Sequence, residues 1–110
     1  MKIQATQTKL SVLKADVSIV FFYEDEATFT AQCKDLIAEF PVAESTLSAG
    51  DFKGKRKTAA IVYTGTKHLP RLLIVGVGKK ADITIEHIRR AAAFAAKSAA
   101  KLNAESIAVP

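Results

Sequence analysis

Basic side chains are the residues of this chain whose type and spacing first suggest a chemical task. They form two clusters on either side of a predicted pair of strands: Lys53, Lys55, Arg56, Lys57, Lys79 and Lys80. Such side chains can neutralise the phosphates of a nucleic acid. Neither cluster contains interleaved aromatic residues that could stack on bases, so sequence-specific RNA recognition is not favoured. The clusters therefore predict, as a weak signal, contact with the backbone of duplex DNA.

The net charge of +5 is unevenly distributed along the 110 residues. Residues 1–50 carry four basic and seven acidic side chains, whereas residues 51–110 carry twelve basic and four acidic ones. An excess of this size in the second half is consistent with a nucleic-acid surface. It is equally consistent with a solvated face or with a face that meets an acidic neighbour.

A glycine pair near the second basic cluster formally matches a nucleotide-binding motif, Gly76-x-Gly78-x-x-Ala81. In that motif a helix N-terminus follows directly and holds a pyrophosphate. Here the predicted helix begins only near Thr84, and no acidic residue follows the next strand, since Glu105 precedes it. The pattern favours a plain strand-to-helix turn in which a glycine adopts a positive φ.

Residue types typical of catalysis are sparse and isolated. The chain lacks a metal-spaced histidine pair, a Gly-x-Ser-x-Gly elbow and a Gly-Lys-Ser/Thr phosphate loop. His68 is expected to be a solvated loop residue, and the single cysteine, Cys33, a buried structural thiol. The acidic run from Glu24 to Glu26 is expected to cap a helix. The sequence thus predicts no catalytic and no metal-binding residue, and this chain alone is not expected to be an enzyme.

Apolar periodicity divides the chain into short strands and two longer helices, which indicates an α/β domain. The predicted strands are Ile3–Thr8, towards an edge, Asp16–Tyr23, Lys57–Thr64, Arg71–Val75 and Ser106–Val109. Lys57–Thr64 and Arg71–Val75 are expected to be antiparallel neighbours, because a short turn joins them. The predicted helices are about Ala27–Phe40 and Thr84–Leu102, and Pro41–Gly50 is expected to be a loop leading to a short strand.

Each helix shows one apolar stripe that is expected to face the core. The stripe of the first helix consists of Phe29, Cys33, Leu36, Ile37 and Phe40. The stripe of the alanine-rich second helix consists of Ile85, Ile88, Ala92, Ala95, Ala99 and Leu102. So many alanines favour the helix and let it approach a sheet closely.

Three stretches together resemble the N-terminal domain of the leucine (cytosol) aminopeptidases. They are Asp16–Tyr23 with its acidic helix start, the turn Asp51–Lys55, and the run Leu72–Lys80 followed by the alanine-rich helix. The likeness covers most of the chain in the family's order. Between the two glycines the family usually has leucine where this chain has Val77, which is a conservative departure.

The resemblance implies a three-layer, macro-domain-like fold with a mixed, mostly parallel sheet and helices on both faces. It implies a parent protein that is a hexameric metallopeptidase, a hydrolase that releases N-terminal leucine and similar residues from peptides. Two divalent metal ions, zinc or manganese, would be bound by a separate C-terminal domain of the same polypeptide. The signature of that domain, Asn-Thr-Asp-Ala-Glu-Gly-Arg, does not occur in residues 1–110.

On this resemblance, residues 1–110 form a single, shortened N-terminal domain that contributes to oligomer assembly and to active-site access. Its last strand is expected to lack neighbours and to expose an edge that could pair with another copy. Two other functions stay open: a DNA-backbone-binding module that uses the basic half, or a stand-alone macro-like domain that binds a nucleotide or ADP-ribose. With one cysteine and no apolar run of membrane-spanning length, a cytoplasmic location is expected.

Overall fold

A computed structural model describes residues 2–5, 15–50, 52–102 and 106–109. Its five strands are β1 (Lys2–Ala5), β2 (Val17–Tyr23), β3 (Ala59–Tyr63), β4 (Arg71–Gly78) and β5 (Ser106–Val109). Its helices are α1 (Glu26–Glu39), α2 (Ala43–Ser48) and α3 (Ile85–Ala100), and a single 3-10 turn, Lys80–Asp82, precedes α3. All predicted strands and both predicted helices are confirmed in type. Residues 6–8 of the predicted first strand lie outside the described residues.

The strands form one mixed sheet in the order β1-β5-β2-β4-β3. Every pairing is parallel except that of β3 with β4, which is antiparallel, as the short connection between them predicted. β1 lies at an edge, as expected. The prediction that the last strand lacks neighbours is wrong, because β5 lies between β1 and β2 and pairs with both. Strand order is set by contacts distant in sequence, so the end of the chain need not be an edge of the sheet.

Helices cover both faces of this sheet, which confirms the expected three layers. One face packs against α1 and α2, and its core contains Phe22, Leu36, Phe40, Leu72 and Ile74. The other face packs against α3, and its core contains Val17, Ile19, Leu73, Val75, Ala95 and Ala99. Alternate residues of β2 and β4 therefore enter opposite cores, which explains why both strands are almost continuously apolar.

The stripe predicted for α1 is confirmed, since Phe29, Cys33 and Ile37 pack with Leu36 and Phe40 in one core. The predicted loop at Pro41–Gly50 is wrong over most of its length, because α2 occupies Ala43–Ser48. Its two buried residues, Ala43 and Leu47, are one helical turn apart. A single such pair is too short to produce a recognisable helical period.

The stripe predicted for α3 is only half correct. Ala95 and Ala99 are buried, but Ile85 and Ile88 are 73% and 58% exposed. The first turns of α3 lie beside the carboxyl ends of β2 and β4, next to Tyr23 and Val77. The predicted stripe is therefore buried only in the C-terminal half of α3, at Ala95 and Ala99.

Candidate functional site

The segment 52–58 lies across the carboxyl end of β4 and is fixed there by two backbone hydrogen bonds. The Gly78 N–H donates to the Gly54 carbonyl at 2.9 Å, and the Gly76 N–H donates to the Thr58 carbonyl at 2.9 Å. A Cβ atom on Gly76 would lie 2.1 Å from the carbonyl oxygen of Lys55. The two backbones can lie this close only because residue 76 has no side chain.

The missing side chain of Gly78 likewise leaves room for the side chain of Arg56. A Cβ atom on Gly78 would lie 2.8 Å from the Arg56 Cγ, and Gly78 itself has a φ of +86°. The guanidinium of Arg56 then reaches α3, where its Nη1 lies 2.9 Å from the His87 Nε2. Since a guanidinium has no acceptor, Arg56 must donate and His87 must accept through Nε2. A neutral His87 therefore has its proton on Nδ1, which is buried and has no hydrogen-bond partner among the described residues.

Lys57 is the non-glycine residue with a positive φ in the described part of the chain, with a value of +60°. The left-handed conformation costs an L-residue roughly 1–2 kcal/mol. Its neighbour Thr58 stabilises this turn, because the Thr58 hydroxyl donates to the Lys55 carbonyl. The turn presents Arg56 and Lys57 next to each other at the same end of the sheet.

The side chains of this turn and of α3 line an open cavity of about 630 Å³, which we call the basic groove. Its lining residues are Arg56, Lys57, Gly76, His87, Arg90, Ala91, Ala93, Phe94 and Lys97. None of these described lining residues carries a carboxylate. His87, Arg90, Phe94 and Lys97 are spaced at three, seven and ten residues along α3, so they share one helical face.

Glu86 is a counterion of this set. It pairs with Arg90, four residues further along α3, at 3.3 Å. Both side chains are more than half exposed, so the pair contributes little to stability. One N–H of the Arg90 guanidinium is used in this pair, and its remaining donors are available to a ligand.

A second, smaller cavity of about 280 Å³, the apolar groove, lies at the other side of the first turns of α3. Its lining residues are Phe21, Tyr23, Val77, Ile83, His87, Ile88, Ala91 and Ala92. The exposed Ile85 lies one turn before Ile88. His87 lines both grooves and separates a basic from an apolar surface.

Comparison with known proteins decides the family. Residues 19–110 match the model of the cytosol aminopeptidase family, N-terminal domain. The chain belongs to this family. A probable cytosol aminopeptidase of Cyanothece sp. is 26% identical over 99% of the chain, and one of Geobacter sp. is 42% identical over 53% of it. The chain spans 22% and 12%, respectively, of the length of these two relatives.

Solved structures agree on the fold of this family member. A mutant tomato leucine aminopeptidase superposes with a TM-score of 0.75 at 21% identity, over 99% of this chain and 22% of the tomato chain. The macrodomain of Mycobacterium tuberculosis DarG superposes with a TM-score of 0.59 at 15% identity, over 98% of this chain and 74% of that domain. The expected macro-domain-like fold is therefore confirmed; at these identities the likeness shows the fold alone.

Within this family member, two of the six residues predicted to contact DNA line the basic groove and the other four do not. Arg56 and Lys57 line the basic groove, whereas Lys53, Lys55 and Lys79 are exposed outside it. Lys80 lies with its Nζ 5.0 Å from the centre of the Tyr23 ring. A role of these residues in DNA binding stays a prediction. His87, Arg90 and Lys97 were not among the predicted site residues, although their shared helical face was visible in the spacing.

Cys33 and Asp25, which the sequence analysis also considered, make contacts that stabilise the fold. Cys33 lies on the core-facing stripe of α1, where burial raises the pKa of its thiol above its ordinary value. Asp25 precedes α1, as expected for a cap, but its carboxylate does not cap that helix. Instead it accepts a hydrogen bond from the Lys80 N–H at 2.8 Å and ties the start of α1 to the turn after β4.

Among the described residues, no group of three or more histidine, cysteine, aspartate or glutamate side chains could hold a metal ion. No helix in the described ranges is both long and apolar enough to cross a membrane.

Proposed function

We propose that this chain is a non-catalytic N-terminal domain of a cytosolic leucyl aminopeptidase and that it contributes to oligomer assembly and active-site access. The observation that supports this most directly is the match of residues 19–110 to the N-terminal domain of the family. The whole protein would release N-terminal leucine and similar residues from peptides in the cytoplasm. It would assemble as a hexamer, and its catalytic domain would follow residues 1–110 in the same polypeptide.

The zinc or manganese ions of such an enzyme do not fit the described residues of this chain, which offer no suitable group of ligands. We assign them to the catalytic domain. When bound there, the two ions would activate a water molecule and polarise the scissile carbonyl. This chain would influence catalysis only by positioning the catalytic domain.

The surface that supports an assembly role is the apolar groove together with Ile85 and Ile88. Large apolar side chains that are more than half exposed are typical of protein–protein contacts when they adjoin an apolar cavity. We assign this surface to the catalytic domain of the same polypeptide, because relatives of the chain contain several times its length. Tyr63, on the edge strand β3, is also exposed but lies outside both grooves.

The test compares the full-length product of the gene with residues 1–110. Leucine release from leucine p-nitroanilide is measured with Mn²⁺ or Zn²⁺, and mass is measured by analytical ultracentrifugation. We expect activity and a hexamer for the full-length protein only. We expect Ile88→Ser to weaken the contact between the two domains and thereby to lower both leucine release and the hexamer fraction, and we expect the matched variant Tyr63→Ser to leave both unchanged. Leucine release by residues 1–110, or equal assembly of both variants, would refute the proposal.

A second candidate function, contact with DNA phosphates, is favoured by the exposed lysines around the basic groove. Lys53, Lys55 and Lys79 are exposed at the end of the sheet where β4 and the segment 52–58 meet. Binding of this kind falls steeply as salt rises, with a slope set by the number of phosphates contacted. A mobility-shift titration from about 50 to about 200 mM salt tests this function. An affinity for DNA that does not change over this range would exclude contact with phosphates. The ADP-ribose hypothesis stays a prediction that a thermal-shift titration with that ligand can test.

A further inference from the structure

We propose that the basic groove binds a small phosphorylated molecule that has an apolar portion. Arg56, Arg90 and Lys97 would hold its phosphate, and Phe94 would contact the apolar portion. This binding does not depend on the aminopeptidase assignment, because it uses a cavity within residues 56–97 alone. It differs from the DNA hypothesis, which also uses Arg56 and Lys57, because it adds Arg90, Lys97 and the apolar wall of the cavity.

The charge of the lining favours a ligand with more than one negative charge. Four permanently or ordinarily cationic side chains line the cavity, namely Arg56, Lys57, Arg90 and Lys97. The carboxylate of Glu86 engages one of them from the solvent side, with both partners more than half exposed. Guanidinium groups match the geometry of phosphate oxygens and can donate two parallel hydrogen bonds to them.

Arg56 is held in position before any ligand arrives. Its stem passes over Gly78, where a side chain would obstruct it, and its Nη1 is fixed by the bond to His87. The remaining donors of the guanidinium are free of any other hydrogen bond among the described residues. A side chain fixed in this way loses little rotamer freedom on binding, which favours affinity.

Two features of the neighbouring residues suggest that the groove serves a ligand. The His87 Nδ1 is a buried polar atom with no partner in the described part of the chain, a state that buried polar groups seldom have. Lys57 adopts a left-handed conformation that glycine would adopt without cost, and its charged side chain lines the cavity. Strain of this kind is concentrated at ligand sites in proteins.

The size and walls of the cavity indicate the rest of the ligand. A volume of about 630 Å³ lies within the range of small-molecule sites, roughly 300–1,000 Å³. Phe94, Ala91 and Ala93 supply an apolar wall next to the cations. A ring or short hydrocarbon attached to a phosphate could contact this wall while the phosphate remains at the guanidinium groups.

The test uses phenyl phosphate as the probe, with inorganic phosphate and phenol as its two halves. Binding is measured by calorimetry and by amide NMR shifts on residues 1–110 and on the full-length product. We expect phenyl phosphate to bind most tightly and to shift the signals of Arg56 and His87. Arg90→Gln and Lys97→Gln should each weaken binding roughly tenfold, as the loss of a charge-assisted hydrogen bond predicts. Adenosine monophosphate provides a nucleotide for comparison with the non-nucleotide probe.

Arg89→Gln is the matched control, because Arg89 is exposed on the same helix and does not line the groove. It should change the affinity less than twofold. Phe94→Leu should reduce the advantage of phenyl phosphate over inorganic phosphate, with folding checked by thermal denaturation. The proposal is overturned if millimolar phenyl phosphate shifts no groove signal, if Arg89→Gln weakens binding as much as Arg90→Gln, or if only duplex DNA binds.

Discussion

Replacing Gly76 by alanine should destabilise the domain severely, and the structure indicates by how much. The new Cβ would lie 2.1 Å from the Lys55 carbonyl oxygen and 2.5 Å from the Gly54 carbonyl carbon. Both neighbours are backbone, so no flexible side chain can yield. To move from 2.1 Å to an ordinary contact distance of 3.4 Å, the segment 52–58 has to shift by about 1.3 Å. Such a shift disrupts the two hydrogen bonds that tie it to β4.

Each of those hydrogen bonds contributes about 1 kcal/mol to the free energy of unfolding. The same movement disturbs Phe52, which is buried against Phe22 with ring centres 5.7 Å apart, and the partial loss of this packing costs about 1–2 kcal/mol. We therefore expect Gly76→Ala to lower the free energy of unfolding by about 3–4 kcal/mol. The total free energy of unfolding of a domain of this size is roughly 5–15 kcal/mol.

The assay is urea denaturation of residues 1–110, followed by circular dichroism. Gly65→Ala is the matched control, because Gly65 has a φ of +77° and nothing within 4 Å of its missing Cβ. Gly65→Ala should lower the free energy of unfolding by about 1 kcal/mol, the cost of placing a non-glycine residue in the left-handed conformation. Gly76 has no positive φ. The free energy of unfolding lost by Gly76→Ala therefore reports only the close approach of the two backbones. If Gly76→Ala costs no more than Gly65→Ala, the explanation of this glycine is wrong.

Three further predictions concern groups outside the grooves. Thr84→Ala should lower the free energy of unfolding by about 1 kcal/mol, because the Thr84 hydroxyl accepts the His87 N–H at 3.2 Å, whereas Thr84→Ser should not. Asp25→Ala should lose the bond to the Lys80 N–H and about 1–2 kcal/mol, whereas Asp25→Asn keeps an acceptor; both are measured in urea. Burial raises the pKa of the Cys33 thiol above 9.0, so the folded state keeps a proton that the unfolded chain releases. Stability should therefore be complete below pH 9, fall as the pH rises through the folded pKa, and lose this dependence in Cys33→Ala.

The parts of the fold that could be predicted are those encoded by local periodicity. The run Asp16–Tyr23 is almost continuously apolar, as is typical of a strand buried on both faces, and β2 does contact both cores. The stripe of α1 extends over three turns, long enough to distinguish a helix from a strand. Pro41 ends that helix as its effect on Phe40 requires. None of these features depends on contacts that are distant in sequence.

The parts that could not be predicted depend on where an element lies relative to the others. Ile85 and Ile88 have the spacing of core residues, but the first turns of α3 lie beside the carboxyl ends of β2 and β4, and both isoleucines are exposed. The position of β5 between β1 and β2 follows from pairings with strands 90 or more residues earlier. It is reinforced by the reciprocal contact of Ser106 with Asp16, in which each backbone N–H donates to the side chain of the other. Neither arrangement has a local signature.

The glycine pair of β4 shows the same limit at the candidate site. Sequence reasoning considered a cofactor turn and a plain turn with positive φ, and the second is correct for Gly78 alone. Gly76 lies within the strand, and its role is to admit the backbone of residues 54 and 55. The partner segment lies some twenty residues upstream, so no motif could reveal it. This close approach nevertheless brings Arg56 over Gly78 to His87, and the basic groove therefore exists because two side chains are absent from β4.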